Sequence, residues 1–284
     1  MSGYFFTFSF LSSHSPRVTN LFSSYAHIAM EKTDAYLPLN KSWKACCRMM
    51  IGGEVGELEE FAQYLQSNVE EVFQKKSFLS GKQVIVSNSL FPRKARYISN
   101  NESEQYLSLL SKKPFEPSSI KDIDSLLAAA KERSAYAGNI VIGKSAAVEQ
   151  SDAVADSQSV LLSSEVYGSK YVAYSANSRG DEHIFGVNWS GESKFLIKCF
   201  QTYKQVRCME TLRVFTSSDC YYSANIEGCF DCIFCFNQRN ARHMIGNLQL
   251  PPSQYAAKKA ELLSQLRQLL SDKKAAPSII QLLE

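Results

Sequence analysis

The segment that decides the fold is KYVAYSANSRGD-EHIFGVNWSGES-KFLIKCF, residues 170–200, in which a charged residue opens each 12-residue unit. The pattern continues for four more units. The units begin at Lys170, Glu182, Lys194, Arg207, Asp219, Asp231 and Arg242, so that successive spacings are 12, 12, 13, 12, 12 and 11. Self-similarity at a fixed period is typical of repeat architectures, and the other predictions follow from it.

The composition of each unit predicts a strand followed by a turn, because the units are short and rich in aromatic and β-branched residues. Helical repeats need longer units, so the sequence predicts an α+β chain built on a β-solenoid, which we expect to be a right-handed parallel β-helix. The second residue of each unit is predicted to face the interior; these residues are Tyr171, His183, Phe195, Cys208, Cys220, Cys232 and His243.

Two side-chain ladders are predicted along the solenoid axis. The first is a cysteine ladder of Cys208, Cys220 and Cys232. The second is an asparagine ladder at a recurring turn site, where a left-handed backbone and stacked amides suit this residue type. Its members are Asn188, Asn225 and Asn237.

The size of the coil is a separate question. Twelve residues at about 3.3 Å each give a perimeter of only about 40 Å, and such a thin interior suits Ser, Thr and Ala. Because the predicted inward column holds rings such as Tyr171 and Phe195, two units per coil, about 24 residues, are favoured. On that interpretation Cys208 lies beside Cys232, and Cys220 lies on the opposite face.

The domain organisation follows from where the repeat begins and ends. Residues 1–40 are expected to form N-terminal strands that supply the first coils, because residues 4–11 read as a strand and residues 34–40 resemble residues 219–225. Residues 41–138 are expected to form a mainly helical insertion. It is predicted to hold helices over residues 43–65 and 118–136 and short strands at residues 82–86 and 95–98.

The solenoid is expected over residues 139–250, and residues 251–284 are expected to form a capping helix and a docking tail. Two prolines open this helix, which runs to about Leu270. The tail is apolar and is predicted to dock either on its own domain or on a neighbouring subunit. Its candidate interaction residues are Pro277, Ile279, Ile280, Leu282 and Leu283.

The composition excludes several classes of protein. The net charge of +3 is too small to indicate a nucleic-acid partner, and the longest apolar run is too short to span a membrane. Because no export signal precedes that run, the eight cysteines are expected to be reduced thiols in the cytoplasm rather than a disulfide framework.

One stretch resembles a known family. Residues 232–255, CIFCFNQRNARHMIGNLQLPPSQY, resemble the closing segment of an uncharacterised family of Cys- and Tyr-rich parallel β-helix proteins from small-genome archaea and candidate-phylum bacteria. The matching residues are the pair Arg239-Asn240, with Ile245, Asn247 and Tyr255, whereas His243 stands where that family has an aromatic residue. The resemblance covers the repeat region only and implies a fold, not an activity.

One cysteine motif has the spacing of a metal site. Cys229, Cys232 and Cys235 could bind zinc or an iron–sulfur cluster if His243 supplied a fourth ligand. The repeat offers another explanation, because Cys232 belongs to the cysteine ladder and residues three apart on a strand face opposite sides. The sequence therefore favours buried packing and no cofactor.

Two further motifs bear on an enzymatic function. Residues 138–145 satisfy the P-loop pattern but follow a predicted helix and hold Ile-Val-Ile where a flexible loop is needed. Glu54 and Glu57 could share a helix face and hold Mg²⁺, but no second acidic helix is evident. No catalytic residues are predicted.

A basic stretch at residues 92–97 is compatible with phosphate contacts, yet a patch of three charges is more typical of an ordinary surface. The leading hypothesis is a non-enzymatic scaffold that self-associates as a homo-oligomer, or docks protein partners, through the solenoid and the C-terminal tail. The alternative is a metal- or nucleotide-dependent enzyme that uses the helical insertion or the Cys229, Cys232 and Cys235 cluster.

Overall fold

A computed structural model describes residues 33–87 and 95–284. The predicted strand at residues 4–11 and the start of the basic stretch, residues 92–94, lie outside the described residues. Arg96 lies inside them and donates hydrogen bonds to the carbonyl oxygen of Ser134, at 3.1 and 3.3 Å, where a helix ends. The remaining part of the basic stretch therefore caps a helix.

The segment before the solenoid mixes helices with short strands. In chain order these are α1 (Tyr36–Ile51), a 3₁₀ helix (Leu58–Phe61), α2 (Ala62–Gln66), β1 (Phe73–Lys76), β2 (Gln83–Val86), β3 (Tyr97–Ser99), a 3₁₀ helix (Asn100–Glu102), α3 (Ser103–Ser111), a 3₁₀ helix (Pro117–Ser119), α4 (Ile123–Arg133) and β4 (Tyr136–Gly138). Strands β1 and β2 pair antiparallel, and β3 and β4 pair parallel. The insertion therefore holds helices and a few short strands, and β2 and β3 overlap the strands predicted at residues 82–86 and 95–98.

The prediction that residues 34–40 belong to a first coil is wrong. They form the start of α1, which ends where Gly52 adopts a left-handed backbone with φ of 76°. The resemblance to residues 219–225 was a coincidence of composition, because the periodic apolar residues of this stretch continue as the buried face of a helix.

The solenoid follows directly, and most of its coils hold either two short strands or one long strand that bends round several corners. Its strands are β5 (Val141–Ile142), β6 (Ala146–Glu149), β7 (Asp152–Ala155), β8 (Gln158–Leu161), β9 (Ser164–Tyr167), β10 (Lys170–Ala173), β11 (Ala176–Arg179), β12 (Glu182–Phe185), β13 (Asn188–Gly191), β14 (Lys194–Tyr203), β15 (Val206–Phe215), β16 (Ser218–Glu227), β17 (Phe230–Ile233), β18 (Arg242–Ile245) and β19 (Leu248–Gln249). Two helices complete the chain: α5 (Pro252–Lys273) and α6 (Ile279–Leu282).

From β6 to β17, each strand pairs parallel with the strand one repeat further along the chain. Lys170 is opposite Glu182, Val206 is opposite Ser218, and Ser218 is opposite Phe230. The register therefore advances by one constant 12-residue period, and each period makes one complete coil. The prediction of two units per coil is wrong, and the chain is a parallel β-solenoid of about nine coils.

The small coil closes because the backbone turns at every third residue. In one coil Tyr171, Tyr174 and Asn177 have φ values of 56°, 55° and 56°, and Gly180 has 67°. A left-handed φ is uncommon for residues other than glycine, yet here it recurs throughout the solenoid and supplies four corners to each coil.

We number the coil positions 1 to 12 from Lys170, so that positions 3, 6, 9 and 12 point inward. In this coil they hold Val172, Ser175, Ser178 and Asp181, which are all buried. The interior is narrow and its residues are small, as the perimeter argument requires for so short a coil.

The predicted inward column failed because its alignment followed the charged residues. The alignment had allowed 13 residues between Lys194 and Arg207. Arg207, Asp219 and Asp231 therefore occupy position 2 of the coil, not position 1, and the predicted column combined residues from two different positions. Position 2 faces outward and holds Tyr171, His183, Phe195, Arg207, Asp219, Asp231 and His243, whereas position 3 faces inward and holds Val172, Ile184, Leu196, Cys208, Cys220, Cys232 and Met244. The rings that argued for a wider coil therefore lie outside it.

Helix α1 packs across one outer side of the solenoid, on strands β8, β10 and β12. Its Trp43 lies fully buried between Phe61 and Phe185, with ring centroids 4.9 and 5.4 Å away. Helix α5 packs against β18 and α1, as expected for a cap at the C-terminal end. None of the helices formed by the described residues is long and apolar enough to cross a membrane.

Candidate functional site

The cysteines of the predicted metal motif all line the interior. Cys229, Cys232 and Cys235 occupy positions 12, 3 and 6, and a corner between each pair turns all three thiols inward, which the strand argument did not foresee. Their thiols donate to backbone carbonyl oxygens, for example from Cys235 to Met244 at 3.4 Å. Hydrogen bonds from Cys220 and Cys235 lower the pKa of Cys232.

The fourth candidate ligand lies elsewhere. His243 is on the outer surface of its coil, where its ring centroid is 5.4 Å from that of Tyr255 on α5. Among the described residues, no group of three or more His, Cys, Asp or Glu side chains is placed to hold a metal ion. The motif therefore belongs to the packed interior of the last coils.

The cysteine ladder exists in a different arrangement from the predicted one. Cys220 lies directly opposite Cys232 on the neighbouring strand, and Cys208 occupies the same position one coil earlier. The prediction that Cys208 lies beside Cys232, with Cys220 on the other face, is wrong because a single repeat unit already completes a coil. All three thiols are fully buried.

The asparagine ladder has two members. The amide of Asn225 donates to the side-chain oxygen of Asn237 at 2.6 Å, and both residues have a left-handed backbone with φ of 54° and 57°. Asn188 lies one position earlier in its coil, opposite Phe200, so it belongs to another column. The predicted third member is therefore wrong.

The motifs for nucleotide and magnesium binding do not form sites of those kinds. Residues 138–145 run from the end of β4 through β5 into the first coil and open no helix. Glu54 and Glu57 follow α1, and their carboxylates form ion pairs with Arg48 and Lys44 respectively. Each carboxylate is therefore paired with a basic side chain of the same protein.

A groove runs along α5 where this helix faces position 2 of the last coils. It consists of two neighbouring clefts of about 650 and 420 Å³ that share Lys259. Its charged side chains pair with one another: Arg207 donates two hydrogen bonds to Asp219, at 2.8 and 2.6 Å, and Lys259 donates to Asp231 at 2.7 Å. These pairs join neighbouring elements of the fold.

The C-terminal tail docks on its own solenoid, which is one of the two predicted outcomes. Ile279 is fully buried, and its backbone N–H donates to a carboxylate oxygen of Glu210 at 2.8 Å. Tyr64 donates to the other oxygen of the same carboxylate at 2.7 Å. Of the remaining predicted residues, Ile280 is half-buried and Pro277, Leu282 and Leu283 are exposed.

The largest feature that was not predicted from the sequence is a row of exposed side chains on the side of the solenoid opposite α1. We call it the aromatic ridge and define it as Tyr167, Arg179, Trp189, Tyr203 and Phe215. Its four aromatic side chains are between 37% and 55% exposed. All members except Trp189, which is at position 8, occupy position 10 of successive coils. A search for one column of exposed rings at intervals of 12 would have found three of them.

The ridge is held rigidly by contacts between neighbouring coils. Arg179 lies over the ring of Tyr167 at 5.4 Å, and Tyr203 lies against Gly191, where a Cβ atom would be 3.3 Å from its ring. The hydroxyl of Tyr203 donates to Glu192 at 2.7 Å. Because these side chains are fixed on a β-sheet, little conformational entropy would be lost when a partner covers them.

Family models, curated proteins and solved structures contain no match to this chain. The class of the protein is therefore defined by its architecture alone. It is an α+β protein with a parallel β-solenoid of 12-residue coils, an N-terminal helical layer and a C-terminal capping helix. The resemblance of residues 232–255 to Cys- and Tyr-rich β-helix proteins stays a prediction.

Proposed function

We propose that this protein is a non-enzymatic scaffold that self-associates through the aromatic ridge. The observation that carries the proposal is the composition of the ridge, because Trp, Tyr and Arg are the residue types that dominate the energetics of protein interfaces. Contiguous exposed rings on a flat, rigid surface are typical of an interaction site.

The order of residues along position 10 is self-complementary. It reads Tyr167, Arg179, Gly191, Tyr203, Phe215, Glu227 and Arg239, with each residue opposite the next. A two-fold axis at Tyr203, perpendicular to the solenoid, would face Arg179 with Glu227 of a second copy. It would also face Phe215 with Gly191, so that a ring meets a position without a side chain.

Position 8 fits the same axis. Gln201 would face its own copy, and Trp189 would face Arg213, a pairing that supports a cation–π contact. Asn177 would face Asn225 through their amides. Two adjacent columns therefore favour the same antiparallel arrangement, in which the same surface of both copies is used, as in most homodimers.

Charge reversal tests the proposal. Arg179→Glu and Glu227→Arg should each place like charges opposite one another and weaken the dimer about tenfold or more, whereas the double variant should recover wild-type association. The measurement is light scattering coupled to size-exclusion chromatography over a range of protein concentrations. Lys113→Glu, an exposed reversal outside the solenoid, is the matched control.

A wild-type protein that stays monomeric at every concentration tested would overturn the proposal. So would equal association of both single variants and the wild type. Trp189→Ala provides a second readout that involves no charge, and we expect it to weaken association without a loss of folded protein, since this side chain is mostly exposed.

A further inference from the structure

The solenoid interior contains a cluster of oxygen atoms that make no hydrogen bond of standard geometry. These are the hydroxyls of Ser178, Ser190 and Thr202 at position 9 and one carboxylate oxygen of Asp181 at position 12. All four side chains are almost fully buried. Buried polar atoms are nearly always hydrogen-bonded, so a group of four in three successive coils calls for an explanation.

Asp181, Ser178 and Ser190 lie in one coil and the next, and Thr202 lies one coil further along. Ser178 is opposite Ser190, and Ser190 is opposite Thr202, on neighbouring strands about 4.8 Å apart. Asp181 follows Ser178 in the same coil, and both point inward. The hydroxyls of Ser190 and Ser178 are close enough to the carboxylate to favour its ionised form, yet they make no hydrogen bond of standard geometry with it.

The rest of the interior is built differently. Elsewhere the inward serines at positions 6 and 12 accept a backbone N–H from the next coil, as Ser163 does from Ser175 at 3.1 Å, and donate to a carbonyl oxygen of their own coil. Asp181 follows this rule with one oxygen, which accepts from the N–H of Ser193 at 2.8 Å. Its second carboxylate oxygen makes no hydrogen bond of standard geometry.

We propose that Asp181, Ser178 and Ser190 form an interior binding site for a monovalent alkali cation, Na⁺ or K⁺. The donors are all hard oxygen atoms, which suit alkali and alkaline-earth ions rather than soft metals. Asp181 belongs to none of the ion pairs that the described residues form, and one monovalent ion would balance its single negative charge. A divalent ion would leave a net positive charge buried.

Space for the ion comes from the residue types at position 9. That position holds Val154 and Val166 in earlier coils and Val214 in a later one, all fully buried. Ser178 and Ser190 are smaller than valine, so they fill less of the interior next to Asp181 than valines would. The same substitution of serine for valine supplies both the room and the ligands.

The test is thermal unfolding at pH 8 in chlorides of Na⁺, K⁺ and tetramethylammonium at equal ionic strength. Anything that binds only the folded protein stabilises it in proportion to the logarithm of its concentration above the dissociation constant. We expect Tm to rise with Na⁺ or K⁺ and not with tetramethylammonium, which is too large for the interior. Asp181→Asn should abolish the difference among the cations.

Two variants make the test specific. Ser190→Ala removes one ligand at a position that accepts apolar residues elsewhere, so the protein should fold and its cation response should fall several-fold. Asp219→Asn, an outer acid paired with Arg207, should leave the response unchanged. Equal Tm values in all three chlorides, or the same response in wild type and Ser190→Ala, would overturn the proposal.

Discussion

At the scale of single residues, the inward serines explain how so narrow a coil is held together. A corner at every third residue turns backbone N–H groups towards the interior, where the strands cannot pair them. A serine at position 6 or 12 accepts that N–H from the following coil and returns its own proton to a nearby carbonyl. The serine hydroxyl therefore accepts the hydrogen bond for which this N–H has no backbone acceptor.

Ser163→Ala tests this role. The variant leaves the N–H of Ser175 buried without an acceptor, so the free energy of unfolding should fall by about 1–3 kcal/mol. Chemical denaturation followed by circular dichroism measures the change. Ser253→Ala, at an exposed position at the start of α5, is the control and should change stability by less than about 0.5 kcal/mol. Equal effects of the two variants would show that the inner hydroxyl has no special role.

Asp181 gives the protein a pH dependence with a definite sign. Burial raises the pKa of this carboxyl to about 7, above its ordinary value of 3.8. The folded state therefore keeps a proton that the unfolded chain releases, so the contribution of Asp181 to stability is fully present below about pH 4 and is lost as the pH rises through about 7. The loss is on the order of 4 kcal/mol.

Asp181→Asn should remove that loss, because an amide carries no charge at any pH. The measurement is the free energy of unfolding between pH 4 and 8 in tetramethylammonium chloride, where no small cation competes with the proton. Parallel pH profiles of the wild type and the variant would contradict the assignment.

At the scale of elements, the C-terminal tail is part of the monomer rather than a free arm. Glu210 is buried, and burial raises its pKa, while donors from the tail and from Tyr64 compensate its carboxylate. Lys198, one coil earlier in the same column, donates to the carbonyl oxygen of Ser67 at 2.5 Å. The tail thus covers polar groups that α2 alone would leave incompletely paired.

Ile279→Ala should lower the free energy of unfolding by about 2–5 kcal/mol, because it removes a fully buried side chain and leaves a cavity beside Phe200. Leu283→Ala is the matched control at a half-exposed position of the same tail and should have little effect. Urea denaturation compares the two. If both variants lose the same stability, the tail does not dock as described.

The sequence predicted the repeat architecture and the capping helix, but not the size of the coil. Charged residues guided the alignment, and they occupy two different outer positions, position 1 in some coils and position 2 in others. A more reliable signal was present at every sixth position, where Ser145, Ser151, Ser157, Ser163, Ser169 and Ser175 recur. Serine at that interval marks alternate inward positions of a 12-residue coil.

At the scale of the whole molecule, exposure of the aromatic ridge depends on which sides the other elements cover. Helix α1 covers position 4, the tail covers part of position 7, and the residues of position 10 remain in contact with solvent. No local pattern reports this, because Tyr167 and Phe215 differ in sequence context and share only a column. The three rings of position 10 recur at multiples of 12 in the sequence, but their exposure could not be predicted from it.

The central claim is that two copies meet at an axis that passes through Tyr203 and Gln201. Gln201→Cys places one thiol from each copy at that axis, on an exposed residue, while all eight native cysteines are buried. Oxidation followed by non-reducing electrophoresis should convert most of this variant into a covalent dimer. Lys113→Cys should remain monomeric under the same conditions. Equal and low yields of dimer from both variants would contradict the account.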